Sequence, residues 1–147
     1  MIKNRIYLDN CCFNRPFDDQ SNLNVYIETQ AKLYVQNEIL NKRLELAWSF
    51  MMDYEILNNP FQDRGEAFMK WKNLAVIDIE PIIKILNKGI EIQKKLIKEK
   101  DALHIACAIE AECKYFLTTD KKLLNKNINE ITIINPQNFI QHFYTEK

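Results

Sequence analysis

Short apolar segments alternate along the chain with longer segments that have helical periodicity. The apolar segments are rich in strand-forming residues and predict five strands, at residues 6–8, 44–48, 74–77, 115–118 and 131–134. Capping residues and helical spacing predict helices from Ser21 or Asn22 to about Asn41, from Ser49 to before Asn58, and over 62–72, 81–98, 101–109, 123–124 and 136 onward. Strands that are apolar throughout are typical of parallel sheets covered on both faces. We therefore expect an α/β fold, a three-layer α/β/α sandwich around a mainly parallel five-stranded sheet.

Two local patterns refine this expectation. Turn-forming residues are concentrated in the segment from Asn14 to Ser21, which predicts a loop. In the first long helix the spacing predicts one apolar face, formed by Ile27, Ala31, Tyr34 and Val35.

Length and charge limit the possible functions. A chain of 147 residues fits one domain, over residues 1–147. Its 20 basic and 20 acidic residues cancel, so binding to RNA or to a membrane would depend on a local patch. Two isolated glycines, Gly65 and Gly89, exclude the glycine-rich loops that bind nucleotide phosphates.

The cysteines do not form a zinc-binding pattern, because no pair has C-x-x-C spacing and the chain has two histidines. Adjacent Cys11 and Cys12 are typical of small buried apolar residues. The short apolar run near the start is interrupted by Asp9 and is too short for a signal peptide core or a membrane span. These features predict a reduced, cytoplasmic protein that does not bind membranes.

Four acidic residues occupy positions where ligands bind in parallel sheets, outside the carboxyl ends of the strands. Asp9 follows the first predicted strand, and Asp120 follows the fourth. Asp101 lies in the first turn of a helix, and Glu55 lies in the helix after the second strand. Taken singly, each residue also fits a structural role, as a turn residue, a helix cap or a solvated helix residue.

Clustered carboxylates would repel one another by about 4 kcal/mol for each pair at ~4 Å and an effective dielectric near 20. They would take up protons unless a cation neutralised them. Hard divalent ions prefer oxygen ligands, and one or two of them can promote hydrolysis of a phosphodiester.

Four segments of the sequence resemble the motifs of the PIN domain family, in the order of that family. They are Tyr7–Cys11, Asp53–Ile56, Asp101–Ala106 and Leu117–Asp120. The resemblance covers essentially the whole chain. It implies an α/β/α sandwich with a five-stranded parallel sheet and Mg²⁺- or Mn²⁺-dependent cleavage of RNA. Many small members of the family resemble toxins of the VapC type, which a cognate antitoxin holds inactive.

The resemblance also implies roles for individual residues. It assigns catalysis and metal binding to Asp9, Glu55, Asp101 and Asp120. Thr118 matches the hydroxyl residue that supports the last acid, and Asn10 replaces the usual Ser or Thr after the first. Leu96–Lys100 lacks the glycine that commonly precedes the third acid, and the long segment 14–20 differs from the start of a typical toxin.

Candidate substrate contacts are Arg15, Lys121 and Lys122, which are adjacent to the expected site. His104 is expected to be a hydrogen-bonded, partly buried residue and not a general base. The expected partners are an RNA substrate, an antitoxin and a second copy of the chain.

Two other functions fit parts of the pattern. One is a PIN-like binding or regulatory module with weak catalysis. The other is phosphoryl transfer through Asp9, which is disfavoured because Cys11 stands where such enzymes usually have a second Asp.

Overall fold

Five parallel strands form one sheet at the centre of the molecule. The computed structural model describes residues 2–145, with strands β1 (Ile2–Leu8), β2 (Glu45–Ser49), β3 (Ile77–Ile79), β4 (Cys113–Leu117) and β5 (Thr132–Ile134). Across the sheet their order is β3-β2-β1-β4-β5, and every neighbouring pair is parallel. This confirms the predicted fold class. Residues 1, 146 and 147 of the predicted single domain lie outside the described residues.

Helices cover both faces of the sheet. They are α1 (Asn10–Asn14), α2 (Leu23–Leu40), α3 (Phe50–Leu57), α4 (Gln62–Lys72), α5 (Ile83–Gln93), α6 (Glu99–Glu110), α7 (Lys121–Leu124) and α8 (Pro136–Thr145). One layer contains α2 packed against α8, and the other contains α6 packed against α3 and α5. Within residues 2–145, no helix combines the length and the apolar character that crossing a membrane requires.

The order of the strands places a crevice between β1 and β4. From β1 the chain proceeds outward through β2 and β3, and it then returns to the other side of β1 to form β4 and β5. The carboxyl ends of β1 and β4 therefore meet at the point where the winding direction reverses, where open α/β sheets bind ligands. The Asp9 amide, which donates to the Leu117 carbonyl at 2.9 Å, joins these two ends.

Apolar burial explains why β1 and β4 are central. Residues 6–8 and 115–117 are almost completely buried. Side chains on successive positions of a strand point to opposite faces, so each of these strands contributes to the core on both sides of the sheet.

The predicted third strand, Leu74–Ile77, is wrong in its position. The amides of Leu74 and Ala75 donate to the carbonyls of Trp71 and Lys72, so these two residues complete the turn that ends α4. Pairing with β2 starts only at Val76, whose amide donates to the Leu46 carbonyl.

Other boundaries also differ from the prediction. The strands β1 and β4 begin earlier than predicted, at Ile2 and Cys113, and α5 begins later, at Ile83. A helix that the sequence did not predict, α1, precedes the expected loop and is capped by the Asp9 side chain. The expected loop itself begins with a 3₁₀ turn over Arg15–Phe17, whose start Pro16 favours.

The helix expected over 81–98 ends at Gln93, since the chain turns back through Leu96, which has a φ of 63°. The following helix starts at Glu99 and not at Asp101.

The packed face of α2 also differs from the expectation. Ala31 and Val35 are buried, but Ile27 and Tyr34 are 41% and 47% exposed. Ion pairs turn a polar face of the helix inward: Glu28 binds Arg15 at 3.0 Å, and buried Glu38 binds Arg43.

Lys32, on the same face of α2, is 6% exposed and has no ion pair or hydrogen bond among the described residues. Its ammonium group lies 5.6 Å from the centre of the Phe13 ring. Burial lowers the pKa of Lys32 to about 8. The folded state therefore binds fewer protons than the unfolded state between pH 8 and 10.5, and the Lys32 contribution to stability improves as pH rises through that window.

Replacing Lys32 with Met tests this burial cost. We expect Lys32→Met to increase the free energy of unfolding at pH 7, and we expect the gain to shrink by about 2 kcal/mol at pH 10, where wild-type Lys32 is neutral in the folded state. Urea unfolding at both pH values measures the free energy of unfolding of the wild type and of the variant. The titration of Cys107 and Cys113 has the opposite pH dependence, but it is the same in both proteins and cancels in the difference between them. Lys70→Met, at an exposed position, is the control. A gain that is independent of pH would show that Lys32 does not carry a buried charge.

Candidate metal site

The site expected from the sequence lies at the carboxyl ends of β1 and β4. Asp9 follows β1 directly, and Thr118 to Asp120 follow β4. Thr118 is fixed from the other side as well, because its amide donates to the Ile134 carbonyl at the end of β5. Three neighbouring strands thus hold the backbone that carries two of the four acids.

Asp9 is buried and accepts two strong hydrogen bonds. Its Oδ1 accepts from the Asn10 amide at 2.8 Å, which caps α1, and its Oδ2 accepts from the Thr118 hydroxyl at 2.9 Å. The Cys11 thiol lies 3.5 Å from the same Oδ2. This carboxylate is therefore held rigidly in the crevice.

Asp120 caps α7, with its Oδ1 accepting from the Lys122 amide at 2.9 Å. The Asp120 amide donates to the Thr118 hydroxyl oxygen at 3.1 Å. The Thr118 hydroxyl, which donates to Asp9, therefore connects the two acids.

Asp101, the third residue of α6, is half-buried and makes no hydrogen bond or ion pair with another described residue. Its pKa is raised, first by burial and then by the negative charges of Asp9 and Asp120. The positive charge of Lys98 offsets these effects only in part. The three carboxylates are therefore near enough to couple electrostatically.

Glu55 has a different environment. Its Oε1 lies 3.5 Å from His104 Nε2, and this hydrogen bond is the main reason that the pKa of Glu55 is lowered. The positive charge of Lys100 acts in the same direction. Glu55 is therefore paired with a group of the protein, unlike Asp101.

His104 belongs to a buried chain of hydrogen bonds. Its Nδ1 lies 2.6 Å from the Tyr7 hydroxyl, which lies 2.7 Å from the Ser49 hydroxyl. With the proton of neutral His104 on Nε2, Ser49 donates to Tyr7, Tyr7 donates to Nδ1, and Nε2 donates to Glu55. The expectation of a hydrogen-bonded histidine is confirmed, and burial is complete and not partial.

The sequence did not indicate Tyr7 or Ser49 as parts of the site. Tyr7 is an ordinary strand residue by pattern, and Ser49 was identified only as the cap of α3, a role that its acceptance from the Met51 amide confirms. Only the neighbouring positions of β1, β2 and α6 bring their side chains together.

The two adjacent cysteines also differ from each other. Cys12 is completely buried, as expected for a small apolar residue. The prediction is wrong for Cys11, which is partly exposed and whose thiol lies 3.3 Å from both the Thr118 hydroxyl and the Thr119 amide. Polar partners at the crevice explain the difference.

The donor chemistry fits a hard divalent cation. Asn10 Oδ1 is buried without a hydrogen-bond partner next to Asp9, and the Asp101 carboxylate has none either. Unpaired oxygen acceptors near coupled carboxylates are the groups that Mg²⁺ and Mn²⁺ prefer. In this conformation, however, no three acidic, thiol or imidazole groups of residues 2–145 are arranged closely enough to hold a metal ion.

The basic candidates have unequal environments. Arg15 is committed to ion pairs with Asp18 at 2.9 Å and Glu28 at 3.0 Å. Lys121 and Lys122 are both exposed on α7, next to Asp120, and neither forms an ion pair within the described residues.

Comparisons with known proteins agree with this architecture. A matching solved structure is a crystal structure of VapBC2 from Rickettsia felis bound to a DNA fragment from their promoter. The alignment has a TM-score of 0.56 and 17% identity, and it covers 89% of this chain and 98% of that chain. No curated protein matches the sequence significantly.

The family model for the PIN domain matches residues 6–128, a range that begins in β1 and extends past α7. It contains all four acidic residues and the whole of the Tyr7–Ser49–His104 chain. PIN domains are generally nucleases. On this match, the chain belongs to the PIN domain family.

Proposed function

We propose that this protein is a divalent-metal-dependent ribonuclease in which Asp9, Glu55, Asp101 and Asp120 form the metal site. The observation that carries the proposal is the environment of Asp101. A half-buried carboxyl group with no partner, whose pKa is raised by burial and by two neighbouring acids, needs a cation for compensation. Membership of a family of nucleases directs this inference to a phosphodiester substrate.

A divalent ion such as Mg²⁺ or Mn²⁺, held by these four acids, would supply charge neutralisation at a phosphodiester and activation of a water molecule. The protein supplies positioning. Thr118 orients Asp9 through a 2.9 Å hydrogen bond and holds the Asp120 backbone, so both acids stay at the adjoining carboxyl ends of β1 and β4. Asn10, with its unpaired Oδ1, supplies a further acceptor beside Asp9.

The chain from Ser49 through Tyr7 to His104 positions Glu55. These three side chains are buried, so the orientation of the imidazole is fixed before any ligand binds. The Nε2–H of His104 keeps Glu55 ionised at the edge of the site, which is consistent with the lowered pKa of that residue. His104 acts here as a positioning residue.

A second candidate function, a PIN-like binding module without RNA cleavage, is favoured by the structural contacts of the same acidic residues. Asp9 and Asp120 cap α1 and α7, and Glu55 is paired with His104. A PIN-like binding module that does not cleave RNA would need only these structural contacts. Metal binding separates the two functions.

We further propose that the protein is the toxin of a toxin–antitoxin pair. The similarity of its fold to a chain of the VapBC2 complex supports this part of the proposal. In this proposal RNA is the substrate and an antitoxin is the protein partner.

Asp101→Asn tests the metal site. We expect cleavage of single-stranded RNA in Mg²⁺ or Mn²⁺ to fall by more than the roughly 10- to 100-fold that loss of an outer-shell partner costs. Calorimetric titration should show that Mn²⁺ binds the wild type and binds the variant much more weakly. Thermal unfolding without metal should occur at a higher temperature in the variant, because the repulsion from Asp9 and Asp120 is removed.

The control for Asp101→Asn is Asp63→Asn, which removes an exposed carboxylate in the first turn of α4. EDTA should stop cleavage by the wild type. If the wild type binds no Mn²⁺ at millimolar concentration, the binding module is the correct function.

Substitution of His104 tests positioning. We expect His104→Ala to weaken Mn²⁺ affinity by about 10-fold or more, as loss of an outer-shell partner does. It should lower the free energy of unfolding by about 1–3 kcal/mol, because the buried Tyr7 hydroxyl loses a partner. Tyr7→Phe should act in the same direction with a smaller effect on Mn²⁺ affinity.

Mn²⁺ affinity is measured by calorimetry well below the melting temperature of each variant. His142→Ala, in the exposed histidine of α8, is the control. Unchanged Mn²⁺ affinity in a folded His104→Ala variant would contradict the positioning role.

Induced expression in a bacterial host tests whether the protein is a toxin. Wild-type chain produced without an antitoxin should stop growth, and Asp101→Asn produced at the same level should not, because RNA cleavage is lost. Growth curves with matched immunoblots measure the effect, and Asp63→Asn should be as toxic as the wild type. Normal growth with soluble, RNA-cleaving wild-type protein would contradict the toxin assignment while leaving the nuclease intact.

A further inference from the structure

A recess of about 310 Å³ lies among the starts of α2, α7 and α8. We call it the side recess. Thr119 and Lys121 line it, and these two residues flank Asp120 in the sequence. A ligand in the side recess would therefore lie next to a group bound at Asp120.

The lining of the side recess is mostly polar. It includes four amide side chains, two cationic side chains and one carboxylate, which are those of Asn22, Asn24, Asn135, Gln137, Arg15, Lys121 and Glu28. An apolar ligand would leave these groups without partners, at a cost of about 1–3 kcal/mol for each buried group. The side recess therefore favours a ligand with several donors and acceptors.

The amide side chains of the recess differ in which of their hydrogen-bond donors and acceptors have no partner. The Oδ1 atoms of Asn22 and Asn135 accept from backbone amides at the starts of α2 and α8, so their NH₂ groups remain as donors. Gln137 Oε1 is a buried acceptor with no partner. The walls thus present both donors and an unsatisfied acceptor, a combination that matches the edge of a nucleobase.

The two cations also differ. Glu28 and Asp18 neutralise Arg15, whereas Lys121 has no ion pair within residues 2–145. Lys121 is therefore the one cation of this lining that has no carboxylate partner among the described residues, and it directly follows Asp120 in the sequence. That position suits a phosphate that follows or precedes the one at the acidic residues.

We propose that the side recess binds the nucleotide adjacent to the cleaved phosphodiester of single-stranded RNA. The base lies against the amide groups of Asn24, Asn135 and Gln137, and the phosphate contacts Lys121. The volume is at the lower end of small-ligand sites and fits one nucleotide, not a duplex. This inference rests on the proposed ribonuclease function and adds the subsite through which that function would select sequence.

Nucleotide titration of the full chain in EDTA tests the proposal without requiring cleavage. The four ribonucleoside 5′-monophosphates are added separately, and NMR follows the side-chain amide signals of Asn24, Asn135 and Gln137. We expect these signals to shift, by amounts that differ among the four bases. Inorganic phosphate alone should leave them nearly unchanged.

Two lysines on one helix provide a matched pair. Lys121 lines the side recess, and Lys122, next to it on α7, does not. Lys121→Ala should raise the dissociation constant of the best mononucleotide about threefold or more beyond the effect of Lys122→Ala, as loss of one exposed charge contact does.

Three results would overturn the side recess as a nucleotide subsite: no shift at millimolar nucleotide, the same shifts with inorganic phosphate, or equal effects of the two lysine variants. Because metal is absent, the result is separate from the nuclease test. Nucleotide binding in a protein that cleaves no RNA would refute the proposed function and keep the subsite, and cleavage without nucleotide binding would do the reverse.

Discussion

The pairing of β1 with β4 is the constraint on which the candidate site depends. Their registered segments place Tyr7 opposite Phe116 and Leu8 opposite Leu117, so Asp9 and Thr118 leave the sheet side by side. The hydrogen bond from Thr118 to Asp9 follows from this register. Burial of both strands on both faces fixes that register, since a slip by one residue would exchange the two faces of each strand.

The same acids have two uses in this structure. Asp9 and Asp120 complete the first turns of α1 and α7, and they also concentrate negative charge near Asp101. Each helix cap uses one oxygen of the carboxylate, the Oδ1 atom, as the acceptor of a backbone amide. The other oxygen of Asp120 and the remaining lone pairs of Asp9 accept no hydrogen bond from the capped helix and can bind another group. Capping therefore orients these side chains and does not prevent them from binding a cation.

Sequence pattern was sufficient where burial alone decides the structure and insufficient where specific pairs decide it. The apolar runs at residues 6–8 and 115–117 were placed correctly in β1 and β4, but the polar residues at positions 3–5 left the first part of β1 unpredicted. β3 is an edge strand of three residues with exposed Asp78 at its centre, so its pattern is weak, and the more apolar Leu74–Ala75 was chosen instead. On α2, periodicity could not show that the ion pair of Glu28 with Arg15 turns a polar face inward.

In the candidate site, too, some residues could be predicted from the sequence pattern and others depend on specific tertiary pairs. Asp9 and Asp120 could be predicted as site residues because each directly follows a strand, and the carboxyl ends of parallel strands lie at the same edge of the sheet. The link from Tyr7 to Glu55 through His104 joins residues 97 and 49 positions apart, and neither spacing is visible as a local pattern. Pairing of that kind depends on the tertiary arrangement of three elements.

The hydrogen bond between Asp9 and Thr118 closes a loop of 109 residues. Contacts of such high sequence separation form late, because the entropy of closing the chain is lost before the contact is gained. A fragment that ends before β4 carries Asp9, Glu55 and Asp101 but lacks Asp120 and Thr118, whose hydroxyl group orients Asp9. The acidic edge is therefore complete only after β4 has been synthesised and has paired with β1, and a proteolytic fragment that ends before β4 cannot contain it.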